Sequence, residues 1–233
     1  MKQITYNKDL FELLKDLSNI NKQIIFDKDI DNNLVVMRAD SESTIAYQLT
    51  APKEYFDFDE AQIAFYNYPE FYQYFRTFNN PDLMIDQSNI KFRSGSSNST
   101  YLLSNPESIT AGPKSFNFND ADFKINLTSD DLDELLKMIN LIDSKKAQIV
   151  CKDDKVSIKI FNNLHDNTFE KIFDATNMSK CDEEIDFVIF AETFRNLPSK
   201  RNYTIDIKSV GFIKISLIDE HMKLNVFTGR VKN

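Results

Sequence analysis

The sequence predicts an α+β chain of two duplicated domains, each built of antiparallel sheets with two helices on one face. Three observations predict this. Phe (20) and Tyr (9) are plentiful while Gly numbers only 4, which favours many short strands over a glycine-rich nucleotide fold. Two stretches carry apolar residues at helical spacing, and the segments around them recur about 120 residues apart.

The repeat is the strongest of the three. Leu10, Glu12, Leu13, Leu14 and Lys15 are matched by identical residues at Leu132, Glu134, Leu135, Leu136 and Lys137, and Leu17 is matched by Ile139. Phe75-Arg76-Thr77-Phe78 is echoed by Phe194-Arg195-Asn196-Leu197, and Ile85-Asp86, Ile90 and Phe92 by Ile205-Asp206, Val210 and Phe212. Three matches in one order at nearly constant spacing imply a duplicated unit of about 110 to 120 residues, an ordinary domain size.

Each half then reads helix, strands, helix, strands. Leu10, Leu13, Leu14 and Leu17 form one apolar helical stripe, and Leu132, Leu135, Leu136 and Ile139 form its counterpart. Thr128 or Ser129 caps the second of these helices, with Asp130, Asp131 and Asp133 complementing its dipole. Hairpin strands are expected at 23–26, 34–39 and 44–50, and again at 147–151, 155–161 and 168–175. A second short helix places Phe71, Tyr74, Phe75 and Phe78 inward, or Phe190, Phe194 and Leu197 in the other half. The Pro-, Gly- and Ser-bearing stretch 105–115 marks a linker. Domain boundaries follow at 1–106 and 122–233, with an interdomain connector at 107–121.

Several function classes drop out. Two histidines, His165 and His221, with no GxSxG, GxxxxGK[ST] or GxGxxG, leave hydrolase triads, P-loops and dinucleotide sites without their parts. The chain reads as no enzyme, with no catalytic residue, no metal site and no cofactor. Asp27-Lys28-Asp29-Ile30-Asp31 begins like a calcium loop, but Asn32 replaces the turn glycine and Arg38 stands where the bidentate Glu belongs, so it reads as a hairpin turn. Cys151 and Cys181 read as reduced, buried thiols. With no run of roughly 20 apolar residues and no signal-type N-terminus, the expected protein is soluble and cytoplasmic. A net charge of −8 argues against simple coating of nucleic acid, yet leaves room for a local basic face.

Such a face is expected on the helices. At 100° per residue Lys8, Lys15, Asn19 and Lys22 fall opposite the first stripe and Lys137 opposite the second. Arg76 and Arg195 occupy matching positions on the second helices, and Lys145, Lys146, Lys200 and Arg201 lie just beyond helix ends. Glu12, Asp130 and Glu134 sit among them and weaken the signal.

The two helix-strand-helix-strand halves, the proline-bearing connector and the weakly basic helices resemble the DNA sliding clamps, especially the short trimeric clamps of T-even-type bacteriophages. The strand-turn-strand of residues 34–49 is similar to the corresponding hairpin of phage and archaeal or eukaryotic clamps. The resemblance spans essentially the whole chain and lives in organisation and short matches. It implies a homotrimer in which two-domain subunits close head to tail into a ring around duplex DNA, with helices lining the hole, sheets outside, and Lys8, Lys15, Lys22, Arg76, Lys137, Lys145, Lys146, Arg195, Lys200 and Arg201 facing phosphates without reading sequence. Residues 99–104 and 168–175 are the expected edge strands. Also implied are an apolar pocket near the connector, with Met37, Ile109, Val226 and Phe227 as candidates, and two partners: the replicative polymerase and an ATP-dependent clamp loader. If the chain is phage-encoded, its cytoplasm is that of a bacterial host. A structural virion component and a monomeric peptide-binding adaptor are the alternative classes.

Overall fold

The computed structural model describes residues 2–86, 88–110, 112, 113, 115–152, 154–162, 164–177 and 184–231, so Cys181 lies outside the described residues. The chain divides into two units, 1–41 with 47–114 and 42–46 with 115–233. Thus residues 107–113 of the connector belong to the first unit and 115–121 to the second.

In the first unit the order is β1 (Lys2–Ile4), α1 (Lys8–Leu17), β2 (Ile24–Lys28), β3 (Leu34–Ala39), β4 (Ile45–Ala51, whose first two residues fall in the second unit), β5 (Ile63–Phe65), α2 (Tyr68–Thr77), β6 (Asp82–Ile85), β7 (Asn89–Ser94) and β8 (Ser97–Leu102). Its strands order as β1-β6-β7-β8 and as β5-β2-β3-β4. The second unit runs β9 (Phe123–Leu127), α3 (Ser129–Ile142), β10 (Lys146–Lys152), β11 (Lys155–Asn162), β12 (His165–Asp174), β13 (Thr176–Asn177), β14 (Ile185–Phe190), α4 (Glu192–Arg195), β15 (Tyr203–Lys208), β16 (Phe212–Leu217) and β17 (Lys223–Gly229). Apart from the two-residue β13, its orders β9-β15-β16-β17 and β14-β10-β11-β12 repeat the first unit strand for strand.

Turns repeat as well. Asn32 (φ 63°) in the β2–β3 turn is answered by Asp154 (φ 58°) between β10 and β11, and Asn80 (φ 49°) after α2 by Lys200 (φ 59°) after α4. The third sequence echo is out of structural register, however. Ile85 pairs with Ile90 at the mouth of its hairpin, whereas Ile205 pairs with Ile215 inside a longer ladder.

Why these residues form these elements is clearest at the helix starts. Asn7 accepts a hydrogen bond from Leu10 N at 3.0 Å, and Leu10, Phe11, Leu13, Leu14 and Leu17 are buried behind it. In α3 the cap is Thr128, closed into a reciprocal box with Asp131. Because α1 ends at Leu17, Asn19 and Lys22 lie beyond the helix on which the sequence expectation placed them. The second helices differ more. In α2 Tyr74 is 37% exposed, leaning on Phe92 and Tyr101 rather than entering the core. The α4 helix is a single turn, with Phe190 in β14 and Leu197 outside it. Pro198 explains the stop, since the residue before a proline is pushed out of helical geometry.

The two cores use different side chains for the same topology. Phe11, Phe26, Phe56, Phe65, Phe71 and Phe92 interlock in the first unit, several as edge-to-face pairs. Aliphatic residues such as Leu132, Ile139, Ile158, Ile189, Ile205 and Ile215 fill the second. The connector is pinned at its start. Ile109 packs with Ile25 and Ala64, and Arg38 Nη1 donates to Thr110 O at 3.2 Å. Burial pulls the Arg38 guanidinium below its ordinary pKa. The Asp29 segment is the expected hairpin turn, its carboxylate accepting from Asp31 N and Asn33 N. Cys151 is fully buried in β10. No helix among the described residues is long and apolar enough to cross a membrane.

Candidate nucleic-acid face and partner groove

The exposed sides of the helices and the turns beside them carry cations and acids together. Lys8 Nζ donates to Asn80 Oδ1, Lys15 lies 3.3 Å from Asp16, Lys22 stands 5.7 Å over the Tyr66 ring and Arg76 6.0 Å over Tyr72. Lys137 is exposed near the middle of α3, flanked by exposed Asp133 and Glu134. Lys145 is exposed at the helix end, and Lys146 is half-buried as the first residue of β10.

Arg195 and Arg201 are more engaged than their sequence positions suggest. Arg195 is half-buried, 3.4 Å from Glu192 and donating to Ser144 O at 3.2 Å, so it is no exposed twin of Arg76. Arg201 pairs with Asp219 at 3.6 Å. Lys200 is exposed in a left-handed turn, and Asn202 beside it accepts from Ser129 N at 2.9 Å. In the second unit, Lys200 therefore sits by the start of α3, Lys137 on its middle and Lys145 at its end, with acids between. That arrangement offers phosphates spaced single charges rather than a continuous basic stripe.

A groove of about 540 Å³ lies within the second unit. Its walls include Phe116, Phe190, Phe212 and Phe227; Glu42, Ser43 and Thr44 contribute from the segment entering β4 and Ala46 from its start, and Thr228 to Val231 from the end of β17 and just beyond it. Phe116 stacks on Phe227 at 4.4 Å, and Phe118 lies 5.8 Å from Phe212 under the ammonium groups of Lys214 (4.9 Å) and Lys208 (5.3 Å). These contacts lay the connector beside the groove. Thr228 Oγ1 donates to Thr44 O at 3.1 Å, and Val231 N to Val188 O at 2.7 Å, fixing two more sides.

Of the four residues expected at a pocket, Phe227 lines this groove. Its neighbour Val226 is fully buried and does not line the groove, since successive side chains of a strand project to opposite faces. Met37 and Ile109 lie in the first unit, where the Met37 carbonyl faces Gly112 and Ile109 is buried. Phe116, Phe190, Phe212 and Arg230 went unforeseen. The Phe116-Asn117-Phe118 alternation in an otherwise polar connector was the one local signal for them.

At the expected edges, β8 ends the β1-β6-β7-β8 sheet and β12 ends the β14-β10-β11-β12 sheet. Exposed apolar side chains mark both, Leu102 (74% exposed) on the first and Ile172 (60%) on the second.

Two identically wound units, each with its helices and paired sheets, define the duplicated clamp fold. Solved structures bear this out. The chain superimposes on PCNA of A. fulgidus, in a structure with the C-terminal region of FEN-1 bound, with a TM-score of 0.78 at 12% identity, covering 100% of this chain and 99% of that one. PCNA from Thermococcus kodakaraensis gives 0.75 at 12% identity, covering 98% and 99% of the two chains. Proliferating Cellular Nuclear Antigen from Entamoeba histolytica gives 0.73 at 12%, covering 95% and 96%. No family model and no curated protein matches the sequence.

Proposed function

We propose that this chain is one subunit of a ring-shaped DNA sliding clamp, a catalytically inert tether that holds the replicative DNA polymerase on duplex DNA for processive synthesis. The observation that carries it is the end-to-end match of both units to PCNA structures. In this reading three copies close head to tail, the edge strand β8 of one pairing with β12 of the next. Closure satisfies two exposed sheet edges and covers Leu102 and Ile172. The match over almost the full length of PCNA chains and the weakly basic helices support the trimeric reading, with the T-even phage type as its finer form.

Encirclement makes retention topological, so strong contacts are unnecessary. Scattered lysines such as Lys8, Lys15, Lys137, Lys145 and Lys200 supply sequence-independent attraction to phosphates, while the acidic remainder of a −8 chain discourages binding elsewhere. The phenylalanine-walled groove receives a short apolar segment of the polymerase or of the ATP-dependent clamp loader. That A. fulgidus PCNA carries the C-terminal region of a partner supports the same use here.

Native mass measurement at micromolar concentration tests assembly first. The clamp predicts a species three times 27.1 kDa, and a persistent monomer fits the peptide-binding adaptor instead. Retention on circular but not linear duplex DNA then separates a topological ring from a structural virion component, which shows no such difference.

A further inference from the structure

We infer that Phe116 of the connector is a built-in competitor for the groove: it holds part of the apolar floor against Phe227 in the free chain and swings out when a partner segment seats. This rests on the reading of the groove as the partner-segment site, and deepens it by naming a regulation of that site.

Among the described residues four phenylalanines wall the groove, and three of them are fixed by their strands. Phe190 in β14, Phe212 in β16 and Phe227 in β17 each stand on a paired strand, opposite Lys146, Lys208 and Lys214 respectively. Moving any of these far means breaking a ladder. Phe116 is different. Residues 115–121 belong to no strand, and among the described residues no backbone hydrogen bond joins them to the sheet. Its chain neighbours Ser115 and Asn117 are exposed, so the ring alone holds this stretch down, half-buried and stacked on Phe227 at 4.4 Å and 17°. A segment held by so few contacts opens far more readily than the ladder beneath it.

The far end of the same stretch is anchored, which makes a pivot. Phe118 lies 5.8 Å from Phe212 and beneath the ammonium groups of Lys208 and Lys214, and Lys214 is itself held by Asp206 at 2.7 Å. Beyond it Asp122 N donates to Ile207 O at 2.8 Å, and Asp122 Oδ2 accepts from Ser209 N at 2.7 Å. Backbone rotation at Asn117 lifts Phe116 off Phe227 while Phe118 stays in place. The exchange is like for like: an apolar side chain of the partner takes the position of the connector's own ring, so the floor is not left bare to water. A site that is open only part of the time binds with an affinity reduced by its open fraction, so removing the competitor tightens binding.

The chain contains no tryptophan, so one placed at position 116 is a lone fluorophore. The probe is a short peptide with a Leu-Phe pair among serines, titrated by calorimetry into wild type and Phe116→Ala and by fluorescence into Phe116→Trp. Phe116→Ala is expected to bind roughly three- to tenfold tighter than wild type. Emission from Phe116→Trp should move to the red as the peptide fills the groove and the indole enters water. Binding no tighter in Phe116→Ala, or emission from Phe116→Trp that stays put or moves to the blue, makes Phe116 a fixed wall and overturns this inference while leaving the groove reading in place. Absence of binding to wild type and Phe116→Ala alike overturns both.

Discussion

Lys171 Nζ lies 2.8 Å from Asp131 Oδ1, joining the edge strand β12 to the first turn of α3. The same ammonium reaches Glu134, and Asp131 also closes the helix cap with Thr128. One lysine thus holds together a candidate subunit edge and the helix proposed to face DNA.

This pair predicts a pH signature. Burial alone would raise the Asp131 carboxyl, but hydrogen bonds from Lys171 and Thr128 outweigh it and hold the pKa below the usual carboxylate value. Hydrogen bonds to Asp131 and Glu134 raise Lys171 above its ordinary value. The depressed acid contributes stability above its unfolded pKa of about 3.9, lost as pH falls through the lower folded value. The raised lysine contributes below its unfolded pKa of about 10.4, and that is lost as pH rises through the higher folded value. Lys171→Met should therefore lower stability across the neutral range, with the difference from wild type vanishing in strong acid. Denaturant melts at a series of pH values check this, and a difference that persists in strong acid would count against the pairing.

Gly112 predicts a local failure. An added Cβ would stand 2.2 Å from the Met37 carbonyl oxygen and 3.1 Å from Arg38 Nη1, so the backbone itself must move. Gly112→Ala is expected to cost about 2 kcal/mol or to release Ile109, Thr110 and residue 112, speeding hydrogen exchange there. Unchanged exchange and unchanged melting together would show that the connector does not lie against β3.

Lys200 tests strain against charge. A non-glycine residue in the left-handed region costs roughly 1–2 kcal/mol, of which glycine's extra unfolded entropy returns about 0.5–1. Lys200→Gly should thus stabilise the protein by about 0.5–1 kcal/mol while weakening DNA retention at low salt. Greater stability with unaltered retention would remove Lys200 from the DNA face.

The repeat-related pair Lys15 and Lys137 tests the helices directly. Lys15→Glu with Lys137→Glu should leave the native mass intact and abolish stimulation of a cognate polymerase on long templates. Both side chains are exposed and support no core packing, so a loss of assembly would mean the sites lie at an interface instead.

How much was legible beforehand follows from the range of each interaction. The β3 strand, the start of β11, the stripes of α1 and α3 and the Thr128 cap were readable because period, propensity and capping act over a few residues. Tyr74, α4 and the Ile205 echo were misplaced because the partner that decides each lies on another element or in a proline beyond the segment.

The sequence by itself determined that the chain is duplicated, where its first helices and their following hairpins lie, and that its helices carry few cations. Only tertiary structure decided which of those cations are already matched by acids, and that residues as distant as Thr44, Phe116 and Thr228 wall one groove. Strand register and side-chain packing bring those positions together, and neither leaves a trace in the local pattern of any one of them.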